Sequence, residues 1–237
     1  MPRMLPTICI ASALLLGAPA FAGMGPCLPD QHDGLICGSG DGAARVIEDT
    51  LSPSKRFALA WRSLDAPPTQ EPKDDKTELL LVRVGDGVIL TRSPTEYWDT
   101  GEMHVNRLQE QASWSPNSRL VIRAFQQRFE TGSAELYAIG KTGEFAGALD
   151  LRKILDTAIR ARLKQRRVRD AESYSFSLSS GPELKIGNDG LIRASVMMWI
   201  PKEGPEHNYA ATLQAMQKPG GGLIARMVSI APARERR

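Results

Sequence analysis

The chain of 237 residues carries 30 Lys+Arg against 27 Asp+Glu, is 42% hydrophobic and 6% aromatic, and contains 21 Gly, 16 Pro and 3 Cys. This is ordinary globular composition, which excludes collagen-like and disulfide-dense scaffolds. Charged residues at 24%, with no apolar run near the roughly 20 residues a membrane span needs, argue against a disordered chain and against a multi-spanning membrane protein, and the small net charge of +3 points to no nucleic-acid partner.

The first element is an address. Arg3 and the N-terminal amine precede an apolar stretch, Leu5 to Leu16, and Gly17-Ala18-Pro19-Ala20-Phe21-Ala22 supplies small residues before a break. This pattern predicts a secretory signal peptide over 1–22, with Ala20 and Ala22 satisfying the peptidase and cleavage between Ala22 and Gly23. Lipoprotein processing is disfavoured, because Cys9 follows Ile8 and Cys27 follows Pro26 instead of a small residue. The expected mature chain is a periplasmic or secreted protein of 215 residues with no transmembrane span and a net charge of +2. That length buries on the order of 70% of the unfolded chain's surface, so a core forms without metal.

Cys27 and Cys37 remain after cleavage, and an even count in an oxidising compartment predicts one disulfide. It would staple an N-terminal loop, 23–43, otherwise loosened by Pro26, Pro29, Gly34, Gly38, Gly40 and Gly42, and closing a loop of that size stabilises by roughly 3 kcal/mol. The spacing is too long for a Cys-x-x-Cys redox site.

Two segments then share a layout: Leu51-Ser52-Pro53-Ser54-Lys55-Arg56-Phe57-Ala58-Leu59-Ala60-Trp61 and Trp114-Ser115-Pro116-Asn117-Ser118-Arg119-Leu120-Val121-Ile122-Arg123-Ala124. Each is a Ser-Pro turn feeding a strand, since proline presets the first central position of the turn and the apolar residues beyond it favour the pleated state. Each continues into a hairpin. Glu78 to Val84 turns at Gly85-Asp86-Gly87 into Val88-Ile89-Leu90, and Ala134 to Ile139 turns at Gly140-Lys141-Thr142-Gly143 into Phe145. The run Trp114-Ser115-Pro116-Asn117-Ser118-Arg119-Leu120-Val121, with Ala134-Glu135-Leu136-Tyr137-Ala138-Ile139 and Gly143-Glu144, resembles a blade of a TolB-like or prolyl-oligopeptidase-type β-propeller. Such blades usually read Trp-Ser-Pro-Asp-Gly-Arg, and here Asn117-Ser118 and Ser54-Lys55 stand in place of Asp-Gly. The resemblance covers about residues 44–151 and implies strands and no activity. A closed propeller needs at least four blades, and the chain has room for about three. The expected fold is therefore mainly β: antiparallel blade-like sheets, as an incomplete propeller or a sandwich.

One amphipathic basic helix is predicted at about 151–169. Leu151, Ile154, Leu155, Ala158, Ile159 and Leu163 form a single apolar stripe, and Asp150 is placed as N-cap. Its other face carries Arg152, Lys153, Arg160, Arg162, Lys164, Arg166, Arg167 and Arg169 against Asp156. Two readings stand: a docking strip for a periplasmic protein or another anionic surface through Arg160, Arg162 and Arg167, or a solvated face whose charges pair with Asp170, Glu172 or loop acids. A C-terminal β unit follows over 171–231, with strands at Tyr174–Leu178, Leu184–Ile186, Leu191–Ile200, Tyr209–Met216 and Leu223–Ile230 and a frayed tail at 232–237.

Chemical motifs are sparse. His32, His104 and His207 stand alone in sequence, which predicts neither a metal site nor a cofactor. Gly-x-Ser-x-Gly is absent, and Gly140-Lys141-Thr142 lacks the glycine a phosphate loop requires at Glu135. Tyr97 and Trp98 fall in a predicted loop, either as partner contacts or folded back on the sheet. The sequence thus favours a non-catalytic binding or interaction module. Its alternative is a hydrolase assembled only in the fold, with His104 or His207 beside Glu102 or Glu206 and a serine.

Overall fold

The computed structural model describes residues 23–73, 77–179, 183–200, 206–218 and 222–233, so the expected signal peptide, 1–22, and residues 234–237 of the expected tail lie outside the described residues. The chain is mainly β, with antiparallel sheets and, among the described residues, one α-helix. The first sheet is a meander in chain order: β1 (Cys27–Pro29), β2 (Leu35–Cys37), β3 (Ala44–Val46), β4 (Phe57–Ser63), β5 (Thr77–Arg83) and β6 (Val88–Thr95). A middle sheet follows in the same manner, from β7 (Gln109–Trp114) through β8 (Leu120–Gln126) and β9 (Thr131–Ile139) to β10 (Phe145–Asp150). After the helix α1 (Leu151–Gln165) comes a third sheet of β11 (Ser175–Leu178), β12 (Lys185–Ile186), β13 (Leu191–Trp199), β14 (His207–Gln217) and β15 (Leu223–Pro232). There β11 and β12 pair with opposite ends of the same edge of β13.

The middle sheet is buried on both faces. Alternate residues Val121, Phe125, Tyr137 and Ile139 meet Phe57, Leu59, Trp61, Leu79 and Leu81 of the first sheet. The intervening residues Ile122, Ala124, Leu136 and Ala138 meet the helix and the third sheet, where Phe176, Ile192, Val196, Met198 and Leu213 complete the larger core. Period-two alternation therefore serves two cores at once, which explains why β8 and β9 read as nearly continuous apolar runs.

Two paired charged groups, Arg123 on β8 and Glu135 on β9, interrupt those runs. Arg123 lies between the first and middle sheets, and both it and Glu110 are essentially buried. Arg123 Nη2 and Nε donate to Glu110, Nη1 donates to Glu135 at 2.8 Å, and Thr95 Oγ1 from β6 donates to Glu110 at 2.8 Å. Burial pushes the Glu110 carboxyl up against the pull of Arg123, while the two carboxylates hold the guanidinium firmly charged.

The two Ser-Pro turns share one hydrogen-bond pattern. Lys55 N–H donates to Ser52 O and Ser118 N–H to Ser115 O, both at 2.8 Å, and the serine hydroxyls accept from Phe57 N–H and Leu120 N–H. Lys55 and Ser118 are both left-handed, with φ of 57° and 60°, at the place the blade pattern gives to glycine. A third turn, Gly187–Gly190, also closes from its fourth to its first residue, with Gly190 at φ 81°. The turns are chained: Ser54 N–H donates to Ser118 Oγ at 3.0 Å and Asn117 N–H to Asn188 Oδ1 at 2.8 Å.

Several boundaries depart from the sequence expectation. The segment expected as a stapled loop, 23–43, contains β1 and β2 and leads directly into β3, with Cys27 and Cys37 as direct cross-strand partners joined by the disulfide. It curls over the outer face of the first sheet, where Cys27 N–H donates to Val84 O and Met24 N–H to Gly87 O. Ser93-Pro94-Thr95 belongs to β6, where Pro94 is tolerated because β6 is an edge strand. The helix stops at Gln165, short of 169. Arg167 is left-handed at φ 58°, its N–H donates to Lys164 O, and Val168 N–H reaches back to Leu163 O, a Schellman stop made without glycine. At the other end Asp150 caps as expected, accepting from Lys153 N–H at 2.8 Å.

Two stability measurements follow. Arg123→Ala strands a buried carboxylate and is expected to cost about 3–5 kcal/mol in urea unfolding, whereas Arg123→Met combined with Glu110→Leu recovers part of that loss. Lys55→Gly and Ser118→Gly relieve the same backbone strain, but only the second removes the link between turns. Lys55→Gly is expected to be the more stable variant by about 1 kcal/mol, and equal stabilities would dismiss the turn-to-turn bond as a contributor.

Candidate functional site

Two surfaces concentrate unusual chemistry. The first lies where the first and middle sheets part. Thr77 Oγ1 donates to Thr95 O and Tyr97 O, and Trp61 Nε1 donates to Asp99 O at 2.9 Å, so the segment after β6 is pinned onto the first sheet. Tyr97 is buried by this pinning, and burial, aided by the negative charge of Asp99, pushes its phenol far up. Its ring walls a cavity of about 590 Å³ that Glu48, Asp49, Asp99, His104, Arg107 and Glu110 also line. A smaller cavity of about 290 Å³ adjoins it across Ile47, Glu48, Asp49 and Asp99 and reaches His32 and Asp33. Trp98 does not line either cavity; it is half-buried against the core between the sheets. The aromatic pair thus folds back onto the sheet, with only Tyr97 facing a concavity.

Beside the smaller cavity, Asp30 accepts from Gly34 N–H at 2.7 Å and His32 N–H at 3.0 Å and pairs with buried Arg45. Burial alone would raise the Asp30 carboxyl; Arg45 and the two backbone donors outweigh it and hold the group below its usual 3.8.

The second surface is the end of α1. Arg160 does not belong to it as an exposed cation. Its Nε donates to Asp156 at 2.9 Å and its Nη atoms to Ala171 O and Tyr174 O at 2.7 and 2.8 Å, fastening the helix to the chain that leads into the third sheet. Lys164 is spent on Glu172 at 2.5 Å. Arg162, Arg166, Arg167 and Arg169 are exposed and form no ion pair with a described residue; Arg162 donates only to Gln165 at 3.2 Å. The structure therefore divides the three expected contact arginines, keeping Arg162 and Arg167 at the surface and assigning Arg160 to the framework. Cations at this end also suit the negative pole of the helix.

The charge is segregated along the chain. Residues 23–115 hold 15 acidic and 9 basic side chains, a net −6, and residues 116–237 hold 12 acidic and 20 basic, a net +8. The small overall charge is the cancellation of two large ones, which sequence totals conceal.

His104 is exposed, with Nδ1 at 3.0 Å from Val105 O, and His32 Nε2 stands 3.7 Å from Glu102 Oε1. His207 lies 5.3 Å from the Tyr174 ring, and its Nε2 has no hydrogen-bond partner among the described residues. Burial, then the charge of Arg166, lowers its pKa. Among the described residues no histidine hydrogen-bonds both a carboxylate and a serine, and no three His, Cys, Asp or Glu side chains are grouped to hold a metal. A lone arginine inside Leu120-Val121-Ile122-Arg123-Ala124-Phe125 is a signal in the sequence of a buried partner, but no pattern in the sequence marks Glu110 as that partner.

Neither a scan against protein-family models nor a search of curated proteins finds a match for this chain.

The depressed Asp30 carboxyl adds stability that is complete above the unfolded-state pKa near 3.8 and is lost as pH falls through the lower folded value. The melting-temperature difference between the wild type and Asp30→Asn is expected to be constant near neutrality and to shrink below about pH 4. A difference independent of pH would remove the charge of Asp30 from the account.

Proposed function

We propose that the protein is an exported, non-catalytic interaction module that docks an anionic partner through the arginine-rich end of α1. The observation that carries this reading is the set Arg162, Arg166, Arg167 and Arg169, four exposed guanidinium groups within eight residues, unpaired among the described residues while neighbouring Arg160 and Lys164 are satisfied. Surface cations in a globular chain are ordinarily interspersed with acids. The leader-like N-terminus and the Cys27–Cys37 disulfide support export to an oxidising compartment, and no helix among the described residues is long and apolar enough to cross a membrane. Consecutive meanders packed face to face, with chained equivalent turns, support kinship with propeller blades.

The test pairs the mature protein with Arg162→Glu/Arg166→Glu/Arg167→Glu, leaving Arg160 intact because it fastens 171–174. Each arginine near an anionic surface contributes about 1 kcal/mol, so reversing three is expected to weaken capture of periplasmic proteins or anionic vesicles by about 100-fold or more. Retention of every partner by a folded variant would falsify the proposal.

A further inference from the structure

The chained turns bring a third surface into being, at the end of the middle and third sheets. There Asn117 of the second turn, Gly140-Lys141 of the β9–β10 hairpin, Asn188-Asp189-Gly190 of the third turn and the adjoining ends of β14 and β15 surround a cavity of about 370 Å³. Its apolar wall is made by Leu120, Ile139, Ala215, Met216 and Leu223. Met216, on the outward face of β14, is 37% exposed and forms an apolar lip. The polar rim carries two cations, Arg119 and Lys141, both exposed and neither ion-paired to a described residue. Asp189 also lines the cavity, and its Oδ1 accepts from Leu191 N–H at 3.0 Å, within its own turn.

An apolar wall facing two unpaired cations has a complement of definite chemistry. The wall gains by removing hydrocarbon from water, and the cations gain by meeting an anion held at the mouth. A guanidinium offers a planar fork that fits a carboxylate, and a lysine ammonium adds a point charge beside it. A neutral apolar ligand would leave both cations unused, and a small hydrophilic anion would leave the wall wet.

We propose that this cavity binds a single-chain amphiphile with a carboxylate head, its tail against Leu120, Ile139, Met216 and Leu223 and its head between Arg119 and Lys141. The site is separate from the arginine end of α1, and neither depends on the other.

The experiment titrates decanoate, below its micellar concentration, into the mature protein, followed by calorimetry and by the Met216 methyl resonance. Decylamine, with the same tail and the opposite head, and acetate, with the head and no tail, serve as controls. Decanoate is expected to bind and shift the Met216 methyl, and the two controls to do neither. Arg119→Gln/Lys141→Gln, at exposed positions whose loss leaves the melting temperature unchanged, is expected to weaken decanoate by about tenfold or more. Equal binding of decylamine would reduce the cavity to a sticky apolar patch. Undiminished binding by the double variant, binding without a Met216 shift, or no binding at all would each overturn the proposal.

Discussion

The structure depends on a middle sheet that must be buried on both faces. Such a sheet supplies apolar residues to two cores, and the cost is ambiguity: a strand apolar on both sides loses little hydrophobic burial if it slips by one residue. The Arg123 network removes the ambiguity. Arg123 stands opposite Glu135 on β9 and reaches Glu110 on β7, and Thr95 of the first sheet bonds the same carboxylate. A one-residue slip would carry the guanidinium to the other face, into the core shared with α1, unpaired. Burying an unpaired charge costs far more than a lost methylene, so the pair sets register whatever its net contribution to stability. The same atoms fix the first sheet to the middle one, through Thr95.

The chained turns do comparable work at the sheet ends. The first and second turns each present a backbone N–H to a side chain of the next, so three units that pack through non-directional apolar faces acquire a directional alignment at one end. Glycine would relieve the strain at Lys55 and Ser118, yet Ser118 Oγ is itself the acceptor for Ser54. The departure from the usual Asp-Gly pair has a use at the second turn that it lacks at the first.

Much of this was legible in the sequence, for identifiable reasons. Proline and glycine mark backbone geometry directly, so the Ser-Pro turns and the hairpins at Gly85–Gly87 and Gly140–Gly143 are legible in the sequence. The helical stripe from Leu151 to Leu163 showed its period, but its end did not, because the left-handed stop is made by arginine. β7 has no strand signature in the sequence, because Gln109-Glu110-Gln111-Ala112-Ser113-Trp114 is largely polar and Glu110 is buried only through its pairing with Arg123. Of the surface residues, sequence could count arginines but could not sort them. Arg160 has Asp156 one turn before it and Arg162 has no acid there, but the contacts that fasten Arg160 to the framework, the carbonyls of Ala171 and Tyr174, arrive from beyond the helix.

Segregated charge decides how such a molecule meets partners. With −6 over 23–115 and +8 over 116–237, the two halves differ by 14 charges, and a purely Coulombic view would give the whole molecule a strong dipole. At physiological ionic strength the screening length is about 8 Å, shorter than the distance between the outer sheets of a three-layer stack whose packed sheets lie roughly 10 Å apart. The far half is therefore nearly invisible to a partner at the helix end. An anion approaching the helix end would meet the local set of guanidinium groups that are unpaired among the described residues. At that screening length, charge segregated along the sequence lets an almost neutral chain present regions of opposite sign that a partner would meet separately.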